Sequence, residues 1–557
     1  MAWLVLVPFV AYALPYVLAL ERGSAGLAPA TFTVDEPLYL GEARALARGS
    51  APEDNPWTRR RGMESDAYRL FCGSMVFAAG WEFLGGDPTW GLAVAAGLCA
   101  ALSSLAAYIV LRSLLRGAAA RAAVVLAPLV VMGPWDCLGE LVRLRVDLTR
   151  LQTFLPLGRP FTSQWGLCLY LLSLACSARV LDRVSTRTLV AFTVVGAAQC
   201  FTFPYAVPAA LLVWTVAVLR SPRRETTRRD RTRALWIPPL ATLGFLLATL
   251  WLDFPASAEA DHGALASPRF GGSGILLAGL GLFAWLHRAA FPPAARWFLP
   301  SVAGVLLLCM LAGHVVPGRL HVIEHVTYLY GVTVAMLVLA LLATVTVRER
   351  PVAAGPIGIV VAAAALVLVV LTDVATAGAH EGALARRAAW AASMRRLPDA
   401  PPSCLLVEGE DLDGPGAWSA LLSPIPVFYA YTSEYSTKVS LDDRRWRRAW
   451  YLHFRGLMAD QVAHEGASIA ARFTRFFGAH NTVPGEEVLR AMEDKLRRIE
   501  AGDASAFAFL AGMGRILCLE DPRAPTFVPS LLEGALIARR TSLVGPHRFT
   551  EYEARVR

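Results

Sequence analysis

At 557 residues the chain is too long for one ordinary globular domain. Hydrophobic residues make up 55% and charged residues 17%, where a soluble domain carries roughly 25% charged. Mean hydropathy is +0.46. These values exclude a disordered chain, a collagen-like fibre and a soluble enzyme, and leave a polytopic membrane protein as the default class.

The net charge of +9 arises from 53 basic and 44 acidic residues. Many of the arginines sit in short loops between apolar runs, where they serve as topology signals and not as a nucleic-acid footprint. Lys438 and Lys495 are the only lysines. The nine cysteines are scattered, with no CxxC and no zinc-like spacing, so no disulfide framework is implied.

The opening MAWLVLVPFVAYALPYVLAL is an apolar run of about 20 residues, long enough to span the hydrocarbon layer. It lacks a basic n-region and an A-x-A site, so it reads as a retained first helix over 1–20. A polar stretch from Glu21 to Arg69 follows, then an amphipathic in-plane segment, Leu70 to Leu84. Further apolar runs fall near 89–112, 119–134, 164–181, 188–204, 205–219, 235–252, 274–290, 297–314, 328–346 and 354–372, about eleven with the first. Pro204 and Pro208 divide 188–219 into two short helices. The same division puts the Arg-rich stretches on either side of it, 179–187 and 220–234, in one compartment.

With that parity the loops at 112–121, 179–187, 220–234 and 347–350 are cytoplasmic. The extracytoplasmic parts are then 21–88, with its in-plane helix, the loop 135–163, the loops near 253–272 and 315–327, and everything after Asp373. The polytopic core runs over 89–372, and 373–557 forms a linker and a small α/β domain. There CLLVEGE, PVFYAYT and RILCLED read as buried strands, and 442–456, 485–500 and 528–538 as amphipathic helices.

The residues that point to chemistry lie in the outer loops. TFTVDEPLYLGEARALARG places Asp35 and Glu36 side by side, followed by Tyr39, Glu42 and Arg44. Adjacent carboxylates at a helix start point to different faces: one suits proton abstraction from a hydroxyl, the other holds the acceptor or a divalent cation. The competing structural account is a helix N-terminus stabilised by acids against its dipole. Arg59, Arg60 and Arg61 form a basic run on the outer side, against the positive-inside bias, and suit either a lipid-carrier phosphate or anionic headgroups. Asp136 and Glu140 stand at i, i+4 beyond the third helix, among Arg143, Arg145 and Arg150, where a surface ion-pair helix is the alternative. Arg159 precedes the fourth helix as a phosphate-binding candidate.

GRLHVIEHVTYLY holds Arg319, His321, Glu324 and His325. The H-x-x-E-H spacing also occurs in metallopeptidases, but no soluble catalytic domain surrounds it here. One polar helix face contacting sugar or phosphate is the better reading, with interfacial snorkelling as its alternative. There is no Walker loop, no G-x-G-x-x-G after a strand and no G-x-S-x-G. In the C-terminal domain Tyr435, Asp442, Arg444 and Arg445 form either a binding surface or part of the fold.

One helix, a large outer loop opening DE-x-x-Y-x-x-x-A-R-x-x-x-x-G, an in-plane segment, a polytopic core and an outer domain together resemble the GT-C glycosyltransferase superfamily. The likeness is to its polyprenyl-phosphate-sugar branch, which includes the protein O-mannosyltransferases and aminoarabinose transferases. YIVLRSLLRGAAARAAVVLAPLV resembles that group's second and third helices, and LGRPFTSQWGLCLYLLSLA its fourth-helix entry. LLSPIPVFYAYTSEYSTKVSLDDRRWRRAWYLHF and FAFLAGMGRILCLED resemble outer domains appended to some large bacterial relatives. The aminoarabinose-transferase Lys-Pro-Pro element is absent, and the segment after Gly49 reads APEDNPWTRRRGMESDAYRL.

The resemblance implies an inverting transferase in the bacterial cytoplasmic membrane. It would move a sugar from a polyprenyl-phosphate donor to an outer glycan, lipid or protein acceptor, with Asp35 as catalytic base and Glu36 beside it. No resident cofactor is required; a divalent cation held by Asp35, Glu36 and Asp136 is compatible with it. The implied partners are the lipid-linked donor, the acceptor and membrane lipids, with no nucleic acid. A flippase for a lipid-linked saccharide is a second reading, disfavoured by the lack of related halves. A non-catalytic envelope-assembly scaffold is a third.

Topology gives the first test: a reporter fused after Arg228 is expected to read cytoplasmic and one fused after Asp411 extracytoplasmic. The same reading from both removes the two-helix division of 188–219.

Overall fold

The computed structural model describes residues 2–19, 80–84, 88–115, 117–132, 162–202, 206–221, 227–253, 272–315, 381–397, 403–409, 414–430, 441–462 and 485–555, apart from a few single positions. Nine α-helices lie in the described part of the first 315 residues. They are α1 (Ala2–Ala19), α2 (Pro88–Leu114), α3 (Gly117–Met132), α4 (Thr162–Val180), α5 (Thr186–Thr202), α6 (Val207–Arg220), α7 (Arg228–Asp253), α8 (Gly272–Leu286) and α9 (Pro293–Val315). A 3-10 turn, Arg288–Ala290, joins the last two. The runs expected at 328–346 and 354–372, and most of the in-plane segment, lie outside the described residues.

The 188–219 stretch is two helices. α5 ends at Thr202, and α6 begins at Val207 with Pro208 in its first turn, where a missing N–H costs no intrahelical bond. α7 starts about two turns before its apolar run, because Thr227 caps it: its hydroxyl accepts from the Asp230 N–H and donates to the Asp230 carboxylate. Among the described residues one helical segment, Ala93–Leu114, is long and apolar enough to cross a membrane by length and composition. Ala2–Leu14, Trp165–Val180, Val207–Arg220, Leu277–Leu286 and Ala295–Cys309 are shorter apolar helices.

Small residues let these helices approach closely. α2 buries Ala93, Ala96, Ala100, Ala106 and Ala107, and packs against α1, α3 and α4. A Cβ added at Gly97 would meet the Phe9 ring of α1 at 2.8 Å. One at Gly196 of α5 would meet Thr242 Oγ1 of α7 at 2.6 Å, and one at Gly281 of α8 would meet Ala303 of α9 at 2.9 Å. Phe192 stacks on Trp214 with centroids 4.1 Å apart, filling the α5–α6 hairpin, and the Trp214 indole N–H donates to the Ala234 carbonyl of α7 at 2.9 Å.

The C-terminal part is a separate α/β core. β1 (Ser403–Leu406), β2 (Arg515–Glu520), β3 (Leu536–Val544) and β4 (His547–Ala554) form one sheet in the order β1-β2-β4-β3. β1 and β2 are parallel, whereas β2–β4 and β4–β3 are antiparallel. The helices are α10 (Glu381–Met394), α11 (Pro415–Leu422), α12 (Leu441–Phe454), α13 (Gly485–Glu500), α14 (Ala504–Ala511) and α15 (Pro529–Ala535). Trp446, Trp450, Tyr451, Phe454, Leu496, Phe507 and Leu510 pack into a shared core with β1 and β2.

Two local expectations change. PVFYAYT contributes a single parallel bridge, Leu405 to Val427, instead of a full strand. The helix expected over 528–538 stops at Ala535, and the chain continues as β3. β3 turns into β4 through Gly545 at φ +61, a left-handed conformation that glycine adopts without a Cβ clash.

The tight α5–α7 crossing is testable. Gly196→Val is expected to cost about 1–3 kcal/mol by overpacking. Adding Thr242→Ala, which removes the obstructing hydroxyl, should recover at least half of it. Thermal unfolding of the purified single and double variants measures both.

Candidate functional site

The helices sort their ends by charge. In the first group, Gly97 of α2 faces Phe9 of α1 at close range. The Tyr12 hydroxyl donates to the Val131 carbonyl at 2.9 Å, which places the end of α3 beside the second half of α1. The short α2–α3 turn with Arg112 occupies one end of this pair, and the Pro88 and Met132 termini lie toward the other.

In the second group, the Cys200 thiol of α5 donates to the Thr242 carbonyl of α7 at 3.5 Å, each residue 14 positions into its helix (200−186 and 242−228). The Arg231 guanidinium donates to the Ser221 carbonyl at 2.5 Å, and the Arg220 guanidinium lies 3.9 Å over the Trp297 ring. Together these contacts bring the α4–α5 turn (Arg179, Arg183, Arg187), the α6–α7 turn (Arg220, Arg228, Arg229, Arg231, Arg233) and the α8–α9 turn (Arg288, Arg296) to one end. The opposite end carries Thr162, Asp253, Gly272 and Val315, together with the α5–α6 turn.

Every candidate catalytic, phosphate-binding or metal residue named from the sequence falls outside the described residues: Asp35, Glu36, Tyr39, Arg59, Arg60, Arg61, Asp136, Glu140, Arg159, Arg319, His321 and Glu324. Segment 20–87 runs from Ala19 to Pro88, segment 133–161 from Met132 to Thr162, and the segment with Arg319 follows Val315. The Pro88, Met132, Thr162 and Val315 termini are the ends opposite the arginine turns of their groups.

A polar patch invisible to motif reading sits in the second group. The Ser173 hydroxyl of α4 donates to Gln199 Oε1 of α5 at 3.2 Å, both fully buried. Gln199 Nε2 and Thr242 Oγ1 have no partner among the described residues. Gln199 stands one turn below the end of α5, on the side of the candidate segments. Buried polar groups in an apolar bundle are costly and mark cavities or sites. The only sequence signal was an isolated Gln inside an apolar run.

The basic run of α12 is structural. The Arg447 guanidinium pairs with the Asp443 carboxylate at 2.9 Å and donates to the Phe428 carbonyl at 2.8 Å, bracing the segment that bridges β1. Lys495 pairs with Asp442 at 2.7 Å and lies 3.8 Å over the Trp446 ring. Tyr435 lies outside the described residues; Arg444 and Arg445 are half-buried on α12. The described cysteines are all free thiols, and among the described residues no group of three His, Cys, Asp or Glu could hold a metal ion.

No protein-family model and no curated protein matches the chain. Among solved structures it is similar to the oligosaccharyltransferase AglB from Archaeoglobus fulgidus in complex with an inhibitory peptide and a dolichol-phosphate. That match has 10% identity and a TM-score of 0.35, over 76% of this chain and 64% of that one. A second, an Archaeoglobus fulgidus oligosaccharyltransferase in complex with Zn and sulfate, matches at 13% identity and TM-score 0.29, over 66% and 53%. At these scores the superpositions carry no argument for a shared fold or activity.

Where the C-terminal sheet meets α10, titration has a physical handle. Ser393 Oγ donates to the Val544 carbonyl at 2.8 Å and lies 2.7 Å from His547 Nδ1, so it accepts from that nitrogen. The Trp390 ring stacks on His547 at 3.8 Å. Burial lowers the His547 pKa from its ordinary 6.5, against a smaller opposing effect of Asp521. Burial lowers His453 likewise, opposed by Glu500.

For both rings the unfolded chain binds the extra proton between the lowered folded value and 6.5, so stability rises with pH across that window. The docking of α10 is expected to be complete above about pH 6.5 and to loosen as pH falls below it. Hydrogen exchange of the α10 amides at pH 7.5 and pH 5 reads this. His547→Phe, which keeps a stacking ring and removes the titrating one, should flatten the dependence.

Proposed function

We propose that the chain is a membrane-embedded glycosyltransferase of the GT-C type that uses a polyprenyl-phosphate-linked sugar. The observation that carries this reading is the sorting of helix ends: the segments holding the candidate acids and phosphate-binding arginines join the bundle at Pro88, Met132, Thr162 and Val315, ends opposite its arginine-rich turns. With the arginine turns of both helix groups on the cytoplasmic side, the acidic pair, Asp136, Glu140, Arg159 and the Arg319 segment all belong to the outer face. The outer loop 21–88 and residues 373–557 lie on that face as well, around a transmembrane core over 89–372.

The chemistry follows from the charges. Arginines among Arg59, Arg60, Arg61, Arg159 and Arg319 hold the phosphate of the carrier by bidentate charge-assisted hydrogen bonds. The acceptor hydroxyl attacks the anomeric carbon from the face opposite the phosphate. A new C–O bond forms as the bond to the phosphate oxygen breaks, with inversion, and the polyprenyl phosphate departs with the electron pair. Asp35 accepts the hydroxyl proton, Glu36 and Tyr39 position the acceptor, and His321 and Glu324 contact the sugar. A divalent cation on Asp35, Glu36 and Asp136 would offset charge on the leaving phosphate; all three residues lie outside the described region, and no step here depends on it.

Asp35→Asn keeps the side chain's size and removes the proton acceptor. It is expected to leave insertion, folding and donor binding intact and to lower sugar transfer by about 100-fold or more, the range general-base catalysis supplies. Glu36→Gln should do less. The assay is transfer from a synthetic polyprenyl-phosphate sugar by purified protein in detergent, with thermal unfolding alongside. A folded, fully active Asp35→Asn protein takes the base out of the mechanism, and one that merely misfolds favours the helix-capping account.

A further inference from the structure

The arginine-rich end of the bundle holds a side-chain cluster that sugar transfer does not use. The Arg220 guanidinium lies 3.9 Å over the Trp297 ring, Trp297 meets Trp285 edge to face at 6.0 Å, and the Arg288 guanidinium lies 4.5 Å over Trp285. The result is a cation–ring–ring–cation ladder across the last residue of α6, the end of α8 and the start of α9. Arg288 is fixed further by donating to the Trp285 carbonyl at 3.0 Å, and Arg296 donates to the Arg288 carbonyl at 3.0 Å.

Among the described residues no carboxylate pairs with Arg220, Arg288 or Arg296, whereas the C-terminal domain pairs its arginines repeatedly. Among the described residues the ladder therefore carries net positive charge. The surface beside it is apolar. Leu219 precedes Arg220 with 57% of its surface exposed, and Leu282 and Leu286 on α8 are 60% and 66% exposed. Gly279, one turn further along α8, has no heavy atom near its Cβ position. Packing in the described bundle joins α7 to α5 and α6, and α8 to α9.

We propose that this ladder is a binding site for an anionic phospholipid of the cytoplasmic leaflet. Its phosphodiester accepts from the guanidinium groups at this end of the bundle, and its acyl chains lie along Leu219, Leu282 and Leu286. The guanidinium fork matches two phosphate oxygens, and the stacking holds each fork in place before the lipid arrives. Tryptophans belong at this level because the indole body is apolar and its N–H is wet, and a basic pocket between helix ends suits an anionic headgroup. The inference rests on the membrane-spanning reading with the arginine turns inside, but not on sugar transfer.

The test uses the purified full chain in detergent, titrated with phosphatidylglycerol, phosphatidylcholine or inorganic phosphate, with binding read by native mass spectrometry and by the unfolding midpoint. Phosphatidylglycerol is expected to bind at least about tenfold more tightly than phosphatidylcholine, the scale of charge-assisted phosphate contacts. Arg220→Gln/Arg288→Gln should remove that preference, and Arg220→Lys/Arg288→Lys should retain part of it.

Equal binding of the two lipids by the wild-type chain overturns the proposal, whether or not the variants fold. So does an unchanged preference in the folded double Gln variant. Inorganic phosphate that stabilises the chain as much as phosphatidylglycerol would make this a free-anion site and overturn the lipid assignment. A chain that binds phosphatidylglycerol as expected yet transfers no sugar loses the proposed function and keeps this site.

Discussion

The helical part of the chain depends on close approach at small residues. If lipid surrounds the bundle, burial of apolar side chains gives little net attraction between helices, because acyl chains are as apolar as leucine. What remains is contact at short range, and Gly97 against Phe9, Gly196 against Thr242 and Gly281 against Ala303 provide it. Each contact fixes which helices touch and at what height. Those heights in turn decide which turns share an end.

The separation of charge between ends follows from that packing. Antiparallel neighbours joined by short turns alternate direction, so arginines placed in every second turn gather at one end of their group. The Arg231–Ser221 hydrogen bond and the Arg220–Trp297 stack then tie neighbouring turns together. The end that gathers these turns is rich in arginine. The C-terminal sheet is built on different physics, with paired charges such as Arg447–Asp443 and an aromatic core.

Much of the helical layout was legible because hydropathy acts over whole segments. The runs near 89–112 and 297–314 match α2 and α9 within a few residues, and the proline pair located the α5–α6 turn. CLLVEGE and RILCLED were recognisable as strands because they are apolar on both faces. β3 was not, since its IARRTSLV face is exposed and alternates poorly, so propensity let the preceding helix run on into it. The roles of Arg447 and of the Arg220–Trp297 ladder were illegible for another reason. Each depends on residues far apart in the chain, and a run of arginines reads the same whether it is solvated, buried or stacked. The acidic pair Asp35–Glu36 shows the converse: residue type alone suggested its chemistry, and it lies outside the described residues.

The central claim is that the candidate residues share one compartment, opposite the arginine turns. Single cysteines at positions 36, 140 and 321, and at 187 and 229, in a chain whose nine native cysteines have been replaced, test it directly with a membrane-impermeant maleimide on intact cells. The account predicts that the first three label on intact cells and that the last two label only after permeabilisation. Labelling of 36 and 321 from opposite sides, or of 187 or 229 from outside, would contradict it.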